Sequence, residues 1–160
     1  MNLEEAEQIA NKVKEILSPY CEEIEIVGSI RRRKPTVHDI DIVLIDKPST
    51  WLILGGLLSS IGSLSVNGNK VKRLWYGNKQ TGIAIDIYFA TKLTWLTLLL
   101  IRTGSKENNI MLCSIANRKG WQLKANGEGL INEKGESIVC HSEMDIYKAL
   151  AIPFQQPTNR

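Results

Sequence analysis

"GSIRRRKPTVHDIDIVLI", Gly28 to Ile45, sets a Gly-Ser pair, the cations Arg31, Arg32, Arg33 and Lys34, and two alternating aspartates in one short stretch. Pro35 breaks the run, and Asp39–Ile45 then alternates as a strand with Ile40, Ile42 and Leu44 on one face. Residues i and i+2 of a strand share a face about 6.5–7 Å apart, so Asp39 and Asp41 project together on the opposite face. An aspartate in so apolar a strand is disfavoured by propensity and by desolvation unless cations or hydrogen-bond donors compensate it.

A second strand, "GIAIDIYFA" from Gly82 to Ala90, repeats the pattern. Ile83, Ile85, Ile87 and Phe89 make its apolar face, and Asp86 points the other way with Ala84 and Tyr88. A lone aspartate of this kind reads as a solvated or Arg-paired side chain. Asp39, Asp41 and Asp86 together read as a metal centre, because a local rule broken repeatedly marks a functional site. Oxygen-rich clusters suit Mg²⁺, and two such ions about 3.5–4 Å apart can hold the attacking and leaving oxygens of a phosphoryl displacement.

The start of the quoted stretch complements those acids. Gly28-Ser29 follows a strand over Glu22–Val27 and opens a turn or short helix, which aims backbone N–H groups and a hydroxyl above the strand end. The arginines supply planar cations suited to phosphate oxygens, though not all of the basic run can face one site. On its own the run is a solvated loop. Glycine, serine, arginines and carboxylates in this order point to a triphosphate held by cations at one end and bridging metals at the other.

Working outward, the remaining pattern is α+β. Leu3, Ala6, Ile9, Ala10, Val13, Ile16 and Leu17 recur at helical spacing ahead of Pro19. Ser49 or Thr50 caps a helix through about Ile61; Val66 to Trp75 reads as one strand, forming a hairpin with Ile83–Phe89 around Gly77–Gly82. Helices are expected over Thr94–Ile101, from Ser105 to Gly120 and from Ser142 to Leu150, with short strands at Trp121–Lys124 and Ser137–Cys140. The expected fold is a mixed β-sheet with flanking helices followed by a small α/β subdomain.

With 160 residues the chain has the size of one ordinary domain, and a net charge of +3 is too small to prove a polyanionic partner by itself. Cys21, Cys113 and Cys140 form no CxxC pair, so neither a disulfide framework nor a zinc site is expected, and a reducing cytoplasm is the natural compartment. No secretory leader is read at the start, and the apolar runs Trp51–Leu58 and Leu93–Ile101 are about half of the roughly 20 residues that a membrane span needs. Trp51, Trp75, Trp95 and Trp121 sit in apolar patterns that favour core packing over base stacking.

"GSIRRR…HDIDIVLI", "AIDIYFA", "RTGSKENNI" and the closing "SEMDIYKALAIPFQQPTNR" together resemble the nucleotidyltransferases of the DNA polymerase X family. The resemblance implies a palm over residues 1–102 and a C-terminal, thumb-like nucleotide- and template-binding subdomain over 103–160, a reduced member lacking an amino-terminal lyase domain. It implies that Asp39 and Asp41 ligate both metals and Asp86 completes the catalytic-metal site near the primer 3′-hydroxyl, with two Mg²⁺ replaceable by Mn²⁺. Gly28, Ser29 and Arg32 would hold the β- and γ-phosphates with backbone near His38. Thr103, Gly104 and Ser105 would form the turn under the sugar, and Asn109 would reach the minor-groove edge of the incoming base.

The implied activity is DNA-directed DNA polymerisation in short-gap repair, by a monomer acting on a nucleoside triphosphate and primer-template or gapped DNA, with no membrane partner. Scattered cations such as Lys70, Lys72, Arg73, Lys79, Arg118 and Lys119 would contribute salt-dependent DNA affinity, most of them as ordinary surface. The chain departs from the family at Ile101-Arg102, where an aromatic pair is usual, which makes a ribonucleotide better tolerated. It departs also at His38, at Ala84, which replaces an arginine, and at Cys113, which points to lower fidelity. Two other readings are transfer of a nucleotide to a small molecule, protein or tRNA end, and a DNA-end binding module without catalysis. "RTGSKENNI" argues against the first, and the intact acid cluster against the second.

Overall fold

Asp41 and Asp86 lie on strands in which apolar residues alternate, and these two strands pair with each other within one sheet. In the computed structural model, which describes residues 1–124 and 126–160, β1 (Cys21–Ile26), β2 (Asp39–Asp46), β3 (Ser63–Asn67), β4 (Val71–Tyr76) and β5 (Ile83–Phe89) form one mixed sheet. The strand order is β1-β2-β5-β4-β3, with β2 and β5 parallel and the other neighbours antiparallel. β5 is central and buried along nearly its whole length, which accounts for its unbroken apolar character.

The apolar face of β2 and β5 is covered by α1 (Leu3–Leu17) and α3 (Trp51–Ile61). Ala6, Ala10, Val13 and Leu17 of α1 and Leu54 and Leu58 of α3 pack on Ile40, Ile42, Leu44, Ile85 and Ile87, all buried. Asn2 caps α1 by accepting from the Glu5 N–H at 2.9 Å. Thr50 precedes α3, but its hydroxyl bonds the Tyr20 and Lys47 carbonyls, so that helix start has no side-chain cap.

The other face of the sheet carries the acids and a smaller apolar patch. Val43, Ile45, Tyr88 and Ala90 meet Leu98 and Leu99 of α4 (Trp95–Thr103). The next residues of the same helix, Leu100 and Ile101, enter a separate core with α5 (Lys106–Arg118), the β6–β7 hairpin (Gln122–Lys124 and Gly129–Ile131) and α6 (Glu143–Ala149). One helix thus belongs to two hydrophobic clusters and sets the angle between them. Ser105 and Ser142 cap α5 and α6 by accepting from Asn108 N and Asp145 N, each at 3.2 Å.

Two expectations are corrected. Val66–Trp75 is not one strand: the chain turns at Asn67-Gly68-Asn69-Lys70, with the Gly68 N–H bonding the Val71 carbonyl at 2.9 Å, and β3 pairs back on β4. An Asn-Gly signal inside a β-rich run is a hairpin signal, and it prevails over the continuity of apolar residues. Ser137–Cys140 is not a strand either; Ser137 makes only an isolated bridge to Ile131, and the partner of β6 is the glycine-flanked β7. None of the four tryptophans is fully buried; Trp51 meets Phe89 edge-on at 4.6 Å between ring centroids and Lys72 lies 4.5 Å over its ring. No helix among the described residues is long and apolar enough to cross a membrane.

Ile85 is fully buried on the face of β5 away from Asp86. Replacing Ile85 by Ala is expected to lower unfolding stability by about 2–5 kcal/mol, the range for removing a core aliphatic side chain, measured as a lower urea midpoint.

Candidate active site

The register of β2 and β5 sets Asp41 directly beside Asp86, and that of β4 and β5 sets Arg73 on the other side of Asp86. Asp41, Asp86 and Arg73 therefore form one row across the sheet. Asp39, on the same face as Asp41, brings a further carboxylate, and ligand oxygens of Asp39, Asp41 and Asp86 all lie within 4.8 Å of one another. Asp86 is 4% exposed, and the other two are half-buried. Its burial is tolerable because Arg73 clasps both oxygens, Nε to Oδ1 at 2.5 Å and Nη2 to Oδ2 at 2.5 Å.

Tyr88 shares this face, with its hydroxyl 3.2 Å from Asp41 Oδ1 and 3.3 Å from Asp86 Oδ2. A phenol carries one proton, so it donates to one carboxylate at a time. The Arg102 guanidinium lies 4.1 Å over the Tyr88 ring. Burial, together with the charges of Asp39 and Asp86, pushes the Asp41 carboxyl up to about 7, against the hydrogen bond from Tyr88 and the charge of Arg102. Burial and the charges of Asp41 and Asp86 push the Tyr88 hydroxyl up as well. Held together without a cation, the cluster is electrostatically unfavourable. A hard divalent ion with oxygen ligands relieves that repulsion, so the donor set fits one.

Beside the acids lies the turn that opens the quoted stretch. α2 (Gly28–Arg31) begins directly after β1, and the Val27 N–H bonds the Asp41 carbonyl at 2.9 Å, fixing the turn against β2. Gly28 sits at φ +63°, and a Cβ there would lie 2.1 Å from Asp41 Oδ2, so only glycine leaves that carboxylate in place. Ser29 Oγ and Arg32 Nε are buried and have no hydrogen-bond partner, as donors awaiting an anion would be.

The three arginines diverge. Arg31 hydrogen-bonds Thr103 Oγ1 at 2.6 Å and reaches both carboxylate oxygens of Glu143 at 3.2 and 2.7 Å. Arg32 donates Nη1 to the Thr103 carbonyl at 2.6 Å, and Arg33, left-handed at φ 60°, ends α2 and pairs with Glu7. Burial works to raise the Glu143 carboxyl, but hydrogen bonds from Arg31 and Arg160 overcome it and leave the group below its ordinary range.

Gly28, Ser29, Arg32, Asp39, Asp41, Gly104, Ser105 and Asn109 line one open cleft of about 680 Å³, with Tyr88, Ile101, Arg102 and Cys113 in the same wall. Asn109 donates Nδ2 to the Ile101 carbonyl at 2.8 Å, leaving Oδ1 buried and unpartnered, and a Cβ on Gly104 would lie 2.5 Å from that oxygen. Asp86 adjoins the cleft through the acid cluster. Two expected residues are placed otherwise. Thr103 is buried, its hydroxyl taken by Arg31; the His38 side chain is exposed and lines a different hollow with Met1, Glu5 and Thr81.

Tyr88 and Arg73 are the functional-looking residues that sequence reading left unassigned. Tyr88 could have been found, since it stands two positions after Asp86 on the same face. Arg73 and Lys72, read as scattered surface cations, are instead an Asp86 partner and a buried side chain over Trp51.

Comparison with known proteins finds DNA polymerases. Residues 98–160 match the DNA polymerase beta thumb family. Over 157 residues the chain is 30% identical to the DNA polymerase/3′-5′ exonuclease PolX of Bacillus subtilis (strain 168), covering 96% of this chain and 27% of that protein. It is 27% identical over 158 residues to DNA polymerase lambda of Rattus norvegicus, covering 83% of this chain and 28% of that one. The chain thus spans little more than a quarter of the length of these curated relatives.

Crystal structures of Leishmania infantum polymerase beta superpose over 100% of the chain at 20% sequence identity. The ternary gap complex gives a TM-score of 0.85 over 70% of its own chain, and the ternary P/T complex 0.82 over 76%. The chain therefore has the fold of these polymerase beta structures. Nearly the whole chain is thus similar to part of these X-family DNA polymerases.

Two measurements test the site. A carboxyl whose folded pKa is raised binds protons more tightly in the native state, so metal-free stability contributed by Asp41 is present at low pH and is lost as pH rises from about 4 to about 7. Asp41→Asn is expected to flatten that part of the metal-free stability-pH curve, measured by urea unfolding in chelator. Gly28→Ala is expected to cost at least about 1 kcal/mol from backbone strain at positive φ and to abolish the rise in Tm on adding divalent ions, because the new methyl group displaces Asp41.

Proposed function

We propose that this chain carries the nucleotidyl-transfer site of a DNA-directed DNA polymerase that extends primer 3′-ends, in short-gap repair synthesis. The observation that carries the reading is the convergence of Asp39, Asp41 and Asp86 beside the unpartnered Ser29 and Arg32 groups in one cleft. A triphosphate fits such a place: its terminal phosphates face the Gly28-Ser29 turn and Arg32, and its α-phosphate comes nearest the acids. In this reading Asp39 and Asp41 hold two Mg²⁺ ions, or Mn²⁺ in their place, and Asp86 completes the site nearest the primer terminus. Bound there, the ions supply charge neutralisation for the attacking oxygen and the leaving pyrophosphate.

The residues do the positioning. The Gly28 turn lets the triphosphate approach β2 without displacing Asp41. Arg32, braced by the Thr103 carbonyl, offers its free Nε and the rest of its fork to phosphate oxygens. Thr103-Gly104-Ser105 forms the floor under the sugar, where the lack of a Cβ on Gly104 leaves room for Asn109 to turn toward the base edge. Backbone near His38 would reach the phosphates even though the His38 side chain lies elsewhere. The primer 3′-oxygen then forms a bond to the α-phosphorus as the bridging P–O bond breaks. Residues 1–102 act as palm, and 103–160 as the nucleotide- and template-binding part of a monomer.

Primer extension on one-nucleotide-gapped DNA with Mg²⁺ is the test, run with deoxy- and ribonucleoside triphosphates because Ile101-Arg102 replaces an aromatic wall. Wild type is expected to add the templated nucleotide, and Asp86→Ala to slow addition at least about 10³-fold, equivalent to about 4 kcal/mol of transition-state stabilisation. No extension by wild type, or full extension by Asp86→Ala, would overturn the reading.

A further inference from the structure

Arg73 is, among the described residues, the one cation whose side chain hydrogen-bonds an aspartate of the cluster, and it occupies both oxygens of that aspartate. Asp39 and Asp41 have no such partner; Asp41 accepts a hydrogen bond from the Tyr88 hydroxyl at 3.2 Å. The cluster is therefore unequal before any ion enters. Two carboxylates are open to a cation, and the third is already neutralised by a fixed positive charge. We infer that Arg73 is a positioning residue that keeps the Asp86-dependent cation position weaker than the position made by Asp39 and Asp41.

The inference rests on reading the cluster as a metal centre and adds a control that the three acids alone do not contain. An ion at Asp39 and Asp41 meets free oxygens. An ion that also uses Asp86 must share a carboxylate with a guanidinium whose Nε and Nη2 sit 2.5 Å from its oxygens, and the two cations repel. Exposure makes the exchange feasible: the Arg73 side chain is 41% exposed and the Asp86 side chain 5%, so the guanidinium can move toward water while the carboxylate stays. Arg73 comes from β4, directly across from Asp86 in register, whereas position 84, two residues before Asp86 on its own strand, holds an alanine with no charge to offer.

The test is Mn²⁺ binding to the full chain with a non-hydrolysable deoxynucleoside triphosphate analogue, free Mn²⁺ being counted by electron paramagnetic resonance. Wild type is expected to bind Mn²⁺ in two unequal steps. Arg73→Met is expected to tighten the weaker step at least about tenfold while leaving the stronger within about twofold, since a neighbouring cation shifts a carboxylate's affinity for a positive charge by about one to three powers of ten. The Mg²⁺ concentration for half-maximal primer extension should fall in parallel. Arg73→Gln, which keeps a hydrogen bond without the charge, gives the same comparison if the methionine variant does not fold. A weaker step that is unchanged or loosened in the folded variants overturns the inference while leaving the transferase reading intact. Absence of Mn²⁺ binding by wild type, or binding untouched by Asp39→Asn, overturns both.

Discussion

The parallel pairing of β2 with β5 sets Asp41 beside Asp86, and most of the molecule follows from holding those like charges in one row. Each lies in a strand whose opposite face is fully apolar, so neither can turn away without exposing Ile40, Ile42, Ile85 or Ile87. The repulsion is met locally by Arg73 on one side and Tyr88 between them. Burial, with the repulsion that is left over, raises the Asp41 carboxyl. A site that is uncomfortable when empty is one that a divalent cation stabilises.

The second constraint is the bond between the two parts of the chain. Arg31 and Arg32, adjacent in sequence, both fasten on Thr103, one through its hydroxyl and one through its carbonyl, and Arg31 continues to Glu143 at the start of α6. Thus the turn proposed to cradle phosphate and the turn proposed to lie under the sugar are tied at a single residue. α4 reinforces the tie by placing Leu98 and Leu99 in the sheet's smaller core and Leu100 and Ile101 in the C-terminal one. A shift of α4 would move both turns together.

Much of this was legible in the sequence because it is local. Alternation placed Asp39, Asp41 and Asp86 on the polar faces of their strands, and the Ser105 and Ser142 caps stood where the helices begin. Errors arose where two local signals competed, as in Val66–Trp75, where Asn67-Gly68 turns a β-rich run into a hairpin. They arose also where pairing alone decides, as with Ser137–Cys140, which makes no strand because β7 already occupies the edge of β6.

By itself the sequence determined the strand periods, the acid faces and the charge content of the turn after β1. Each follows from backbone geometry and sterics within a few residues. Only the tertiary structure decided partners: Arg73 for Asp86 across 13 residues, Tyr88 for Asp41 across 47, and Arg31 for Glu143 across 112. Sheet register and helix docking choose these pairs by burying apolar area over the whole chain, and no local period reports them. That is why the basic run looked uniform in sequence and proved to be three arginines with separate partners.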